Sequence, residues 1–300
     1  MFYQPPRALG LLMGVVLAAW AFGIAIVLLT FGWGRPFDLV TAIAYIGAAI
    51  SVGVGLMFSY WCYALATMWY ALDRNGLVIH WGVLSQVVPL DAIERLVPGT
   101  SAGVPRVGGV TWMGYHVGRG YIDRIGDVLF YSTHQSPEQV LYVMTSSQNY
   151  AISVPDPAAF AREIQVRQDL GATAQVEHHV ERTLPALQGF WTDRTGMMLA
   201  GIAGLFGALV WLVVAFRYNS LPESFELYFP PSRSSPLVEL VGRDAVLELP
   251  QTASMLLIAN LVLGVLLYAW DRVAGYALFM AGAAIQLGFI AAFVLATSDL

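Results

Sequence analysis

The chain contains no lysine: all 15 of its basic residues are arginine, a bias that reads as genomic or as heat adaptation. Charge of either sign is scarce, at 12% of residues, and 20 acidic side chains leave a formal net charge of −5. There is a single cysteine, Cys62, so an intramolecular disulfide is excluded and the redox compartment stays open. No Gly-x-Ser-x-Gly elbow, His-Glu-x-x-His, Walker loop or Cys-x-x-Cys occurs. The Gly108-Gly109 and Gly118-x-Gly120 pairs lack the strand-to-helix setting of a nucleotide loop and read as turns. These absences argue against an enzyme, and no catalytic residue, cofactor or metal is expected.

What is abundant is apolar sequence, 57% of the chain, gathered into blocks. Five uncharged stretches, Gly10–Phe31, Leu39–Tyr70, Gly196–Phe216, Thr252–Trp270 and Val273–Thr297, run for 19 to 32 residues. About 20 apolar residues cross the hydrocarbon core as a helix, which satisfies its own backbone where water is absent. The chain is therefore expected to be an α-helical integral membrane protein with five transmembrane helices. The first stretch is 22 residues long and Gly32–Asp38 offers no small-residue cleavage site, so it reads as a retained span rather than a signal peptide. The second exceeds what the bilayer needs, and its aromatic end, Tyr60–Tyr70, is expected to leave the membrane or lie at the interface. No ionisable residue lies in any stretch. Pumps and proton-coupled transporters usually need one at depth, and the lack of histidine there disfavours bis-His heme.

Between the second and third stretches, Ala71–Thr195 supplies 125 residues with 9 Arg and 12 Asp or Glu, enough for a small domain. Asp73-Arg74-Asn75-Gly76 signals a turn before the strand Leu77–Trp81. Further strands are expected at Val87-Val88, Val110–Val117, Asp127–Ser132, Val140–Thr145 and Tyr150–Val154. After Pro155 the pattern becomes helical over Ala158–Gln168, with Asp156 as N-cap and Pro157 at the first helical position. Seven or so short strands closed by one helix predict a small β-barrel or orthogonal sandwich. Leu77, Ile79, Ile93, Leu129, Val143 and Phe160 are expected in its core. The expected domains are a two-helix hairpin (1–70), the β domain (71–168), a linker (169–195) and a three-helix region (196–300) with loop 217–250.

The run Tyr-Ala-Leu-Asp-Arg-Asn-Gly-Leu-Val-Ile-His-Trp-Gly from Tyr70, with the later Val-Pro-Leu-Asp-Ala-Ile-Glu-Arg-Leu, resembles the opening of bacterial membrane-anchored pleckstrin-homology-like domains. Ser153-Val154-Pro155-Asp156-Pro157-Ala158-Ala159-Phe160 resembles their final strand and C-terminal helix. The resemblance implies a helix-capped β-barrel on the cytoplasmic side, a fold that binds partners and rarely does chemistry. Loop 217–251 carries Leu221-Pro222-Glu223-Ser224-Phe225-Glu226-Leu227-Tyr228-Phe229, Gly242-Arg243 and Leu249-Pro250. It is similar to a degraded motif of the toxin-immunity family of the sporulation-delaying-protein type. Tyr228 replaces that family's His, Glu226 its Pro, and Arg243 stands near its Lys, so architecture carries over better than ligand binding.

Glycine-rich sequence between 99 and 126 holds Trp112, Tyr115, Arg119, Tyr121 and Arg124, residue types enriched at interface hot spots, and these are the candidate partner-binding residues. His178-His179 points in two directions on a helix and finds no further ligand, so it reads as solvated linker. His80, His116 and His134 fall in separate strand segments. Asn260 and Gln286 are the strongest intramembrane polar residues and are expected to hydrogen-bond between the fourth and fifth spans as structural glue. Ala49/Gly53, Ser51/Gly55, Gly201/Gly204/Gly207, Ala277/Ala281 and Ala284/Gly288 form small-residue faces for helix packing, within the bundle or against another subunit.

Arginines near span ends divide as Arg7, Arg74, Arg182, Arg194 and Arg272 against Arg35, Arg217, Arg233 and Arg243. Together with the resemblance, this places the N-terminus and 71–195 in the cytoplasm and the C-terminus outside, in the inner (cytoplasmic) membrane. The −3 balance of the 71–195 segment disfavours capture of anionic headgroups, which needs a basic cluster. The expected function is a non-enzymatic scaffold or accessory subunit whose barrel docks other membrane-protein subunits. No nucleic acid and no specific small-molecule substrate is inferred. The alternatives are an envelope sensor or immunity-type signalling protein using loop 217–250 and, third, a transporter or membrane enzyme.

Overall fold

The computed structural model describes residues 1–102, 106–171, 173–174, 178–182, 189–191, 193–228 and 238–297. Among the described residues, five helices are long and apolar enough to cross a membrane: α1 (Ala8–Gly32), α2 (Leu39–Ala66), α4 (Arg194–Tyr218), α5 (Glu248–Tyr268) and α6 (Arg272–Ala296). They match the five stretches, although α2 ends at Ala66 and Trp69 opens a strand, so the second stretch does leave its helix. The chain forms two compact units, Met1–Gly23 with Ser51–Thr183, and Ile24–Ile50 with Leu184–Leu300. The first half of α1 and the second half of α2 thus belong with the β domain.

In the first unit, one sheet has the order β1 (Phe2–Tyr3), β2 (Trp69–Leu72), β3 (Gly76–Trp81), β4 (Leu84–Pro89) and β11 (His179–Arg182), all antiparallel. The other places β5 (Ile93–Pro98) beside β9 (Leu141–Thr145), then β10 (Asn149–Ile152), β8 (Gly126–Ser132), β7 (Tyr115–Ile122) and β6 (Arg106–Trp112). The β10–β8 pair is parallel. Local chemistry explains the ends. Asp73 Oδ1 accepts from the amides of Asn75 and Gly76 at 2.7 Å each, closing the turn into β3. The helix α3 (Pro157–Leu170) starts at Asp156, whose carboxylate accepts from Ala159 N at 2.9 Å with Pro157 at the first position.

Leu77, Ile79, Ile93, Val143 and Phe160 enter the core between the two sheets and α3, and Leu129 packs against it. Phe160 and Ile164 are the buried side chains of α3. Burial of that kind stabilises by about 1.5–3 kcal/mol per side chain. Leu65 and Met68, at the end of α2, are fully buried in the same core, so barrel and helix end share it. The second face of the larger sheet is covered too, by Phe130, Tyr142, Ala151, Ile122 and Val128 with Ala102. That explains why β8 and β9 read as continuous apolar runs rather than alternating ones.

Three sequence expectations change. Val110–Val117 is not one strand: Trp112 pairs with Tyr115 across a two-residue turn, and Gly114 has φ +77°, a conformation unfavourable to other residues. The sheet gains β1 from the chain's first residues, with Tyr3 edge-on to Phe160 at 4.9 Å. The 169–195 segment is not simply a linker, because β11 adds to the β4 edge. Asn75 Oδ1 ties the approach to β11, accepting from Thr173 N and Oγ1 at 2.9 Å and Ala174 N at 3.1 Å.

In the second unit, Phe190, Tyr268 and Phe279 form a small aromatic core. Asp193 caps α4 and accepts from Tyr268 Oη at 2.8 Å and from Tyr276 Oη. These hydrogen bonds, Tyr276 first, hold its carboxyl below the usual range. A hairpin of β12 (Ser224–Tyr228) and β13 (Val238–Gly242) follows α4.

Candidate functional site

The five candidate partner-binding residues separate into two groups at opposite ends of the β6–β7–β8 ribbon. Tyr115 is fully buried and its hydroxyl accepts from Trp81 Nε1 at 2.6 Å; burial pushes the phenol well above its ordinary pKa. Trp112 is half-buried and donates from Nε1 to Gly10 O at 3.0 Å. Its ring centroid lies 4.6 Å from that of Tyr115, 5.9 Å from Trp61 and 6.1 Å from Phe58. As partner-binding residues these two are corrected: both are consumed in holding the barrel to α1 and α2. Gly10 and Gly114 touch backbone to backbone there, and a Cβ on Gly10 would stand 2.4 Å from Gly114 O.

Arg119, Tyr121 and Arg124 lie at the other end. Arg119 and Tyr121 continue the face of Tyr115 and Val117 along β7, yet both are exposed, so the strand has run past the core on that side. Tyr121 is 56% exposed, and Arg124, in the following turn, donates to Ser101 O at 3.2 Å. From Tyr115, four steps along β7 reach Arg119 and six reach Tyr121, about 13 Å and about 20 Å at roughly 3.3 Å per residue. This group therefore stands well away from the helix junction. Its two guanidinium groups and one phenol offer hydrogen bonding, stacking and positive charge.

Sequence reasoning missed a buried polar network between the sheets. Gln86 Nε2 donates to Tyr131 Oη at 3.3 Å, Tyr150 Oη donates to Gln86 Oε1 at 3.4 Å, and Tyr150 Oη lies 2.7 Å from His178 Nε2. Burial pushes the Tyr150 phenol up to about 12. His178 is thus a partner of the barrel through Tyr150, while its side chain stays solvent-exposed as the sequence suggested. Its signal was absent from local sequence, because the contacting residues are 28 or more positions apart. His116 and His134 also meet, with rings 4.2 Å apart, although they lie in different segments. Among the described residues, no three His, Cys, Asp or Glu side chains come together as metal ligands.

Gln286 is fully buried on α6, where Nε2 donates to Ala253 O of α5 at 2.9 Å. The expected Asn260–Gln286 bond is corrected: main chain takes the Gln286 donor, its Oε1 is unpartnered, and Asn260 lies instead beside Gly282. The small-residue faces divide as well. A Cβ on Gly55 would meet Phe22, and one on Gly207 would meet Leu257, whereas at Gly53, Gly201, Gly204 and Gly288 it would meet nothing within 4 Å.

Residues 68–168, about a third of the chain, match the family described as bacterial PH domain. This agrees with the helix-capped barrel and with the resemblance at Tyr70–Gly82 and Ser153–Phe160; the match does not extend to loop 217–251. No curated protein and no solved structure gives a match to the chain.

Proposed function

We propose that the chain is a non-enzymatic membrane scaffold or accessory subunit whose barrel docks a protein partner through Arg119, Tyr121 and Arg124. The observation that carries this reading is the shared core: Leu65 of α2 and Met68 just beyond its end are buried among barrel strands. A barrel built into a helix end holds its far surface at a set height and orientation, as a docking platform requires. The exposed group combines the residue types that dominate interface hot spots. The distance of Tyr121 from the junction, about 20 Å along β7 at roughly 3.3 Å per residue, favours a protein over lipid headgroups. The balance of 9 Arg to 12 acids over 71–195 also lacks the basic cluster that anionic lipid demands. In this reading the barrel and N-terminus are cytoplasmic and the C-terminus lies across the inner membrane. The sensor reading rests on the pairing of β12 with β13, which gives loop 217–250 two antiparallel strands of its own.

Purification in mild detergent tests the proposal. A stoichiometric partner is expected with the wild-type chain, and Arg119→Ala with Tyr121→Ala is expected to lose it while the protein still elutes as a folded species. A clean monomer from the wild type, or a partner retained by the double variant, overturns the docking role of these residues.

A further inference from the structure

The end of the barrel that meets α1 and α2 carries two hairpin turns, Gly82-Val83 between β3 and β4 and Met113-Gly114 between β6 and β7. Both lie against the helix pair. A Cβ on Gly82 would be 3.0 Å from Ala64 Cβ and 3.4 Å from Tyr60 Oη, while Gly114 abuts Gly10. One turn further along α1, a Cβ on Gly14 would be 2.5 Å from Cys62 Sγ and 3.3 Å from the Trp112 ring. The β6–β7 turn is therefore level with residues 10 to 14 of α1, inside its uncharged run.

That run leaves little room for a retreat from the membrane. Its 22 residues, Gly10–Phe31, span about 33 Å at 1.5 Å per residue, against a hydrocarbon core of about 30 Å. Gly10 to Gly14 alone covers about 6 Å, so part of that turn lies at the headgroup–acyl boundary. Several polar groups near this junction are paired within the protein. The Trp81 indole donates to Tyr115 Oη and the Trp112 indole to Gly10 O. Ser59 Oγ donates to Gly55 O at 2.8 Å and Thr67 Oγ1 to Tyr63 O at 2.9 Å. Internal pairing is the arrangement a water-poor layer requires. Met113, at the turn itself, is nevertheless 63% exposed, and Tyr63, next to Cys62 on α2, is 53% exposed.

We propose that these two turns are seated in the headgroup–acyl boundary, with Met113 as an apolar tip facing lipid. The inference rests on α1 and α2 spanning the bilayer. Attraction here is hydrophobic, so neutral lipid suffices and salt leaves it unchanged. The barrel is thereby held by lipid at the turns as well as by protein at the helix ends.

The test uses the full-length Cys62→Ser protein in phosphatidylcholine vesicles, with single cysteines carrying an environment-sensitive fluorophore and nitroxide-labelled lipids as quenchers. Met113→Cys is expected to lose emission most to a nitroxide near the headgroup, unchanged in high salt, and Tyr121→Cys to lose none. Ile24→Cys, on the exposed side of α1, is expected to be quenched most by a nitroxide near the acyl end. Quenching at Ile24 without quenching at Met113 overturns the seated turns and leaves the spans intact. An unquenched Ile24 removes the spanning reading and the inference with it. A Met113 label that is shielded from water yet unquenched assigns the tip to protein contact, and the proposal falls.

Discussion

Single side chains show how burial redirects residues whose type points outward. Tyr115 is an interface residue by composition, but its alternation with Val117 places it on the core face, where its hydroxyl finds Trp81. That alternation was readable; the turn at Gly114 that sets its phase was not, because Val110–Val117 reads equally well as one strand. The meeting of His116 and His134 was invisible, since nothing local brings residues 18 apart into contact. Its consequence is measurable. Burial first, and the His116 neighbour second, lower the His134 pKa from 6.5 to about 4; burial lowers that of His116. The unfolded chain takes up these protons first as pH falls through 6.5. The stability contributed by the neutral pair is therefore full above that value and lost as pH drops toward about 4. The thermal unfolding midpoint is expected to fall over this window, and His134→Gln to flatten the fall. An unchanged slope in the variant assigns the acid sensitivity elsewhere.

Among elements, the apolar helices and the capped helix α3 were the most readable, because length, composition and the Asp156-Pro157 pair are local signals. β1 and β11 were not. A two-residue strand and a four-residue strand rich in charge have no periodicity of their own, and partners more than 60 residues away in sequence create them. The same holds for the junction of α1 with the β6–β7 turn, which depends on two glycines meeting. Gly10→Ala forces a methyl against the carbonyl of Gly114 and is expected to destabilise the first unit by about 1–3 kcal/mol. Gly53→Ala, where the space is open, is expected to change stability by no more than about 0.5 kcal/mol. Denaturation in detergent followed by tryptophan emission compares the two. Equal effects would mean that the Gly10 contact carries no special weight.

At the scale of the whole chain, the five apolar helices and the β domain between the second and third follow the order read from hydropathy. The compact units do not, since each contains parts of α1 and α2, and sequence blocks cannot report a division that cuts across continuous helices. The side of the membrane on which the barrel lies is open to a direct measurement. In a Cys62→Ser background, Gln135→Cys on the barrel and Glu223→Cys beyond α4, both exposed, are expected to react oppositely with an impermeant thiol reagent on intact cells. Labelling is expected at 223 only; labelling at 135 alone inverts the orientation, and labelling at both removes the five-span topology.

The burial of Leu65 and Met68 among the barrel strands also has a mechanical meaning. α2 has 28 residues, a rod of about 42 Å, longer than a hydrocarbon core of about 30 Å. Such rods lean when the bilayer thins and straighten when it thickens. With the joint stiff, a lean of the rod becomes an equal rotation of the barrel. At a lever arm of about 20 Å, a change of about 10° would carry Tyr121 about 3.5 Å sideways, so bilayer thickness would be converted into displacement at the far surface.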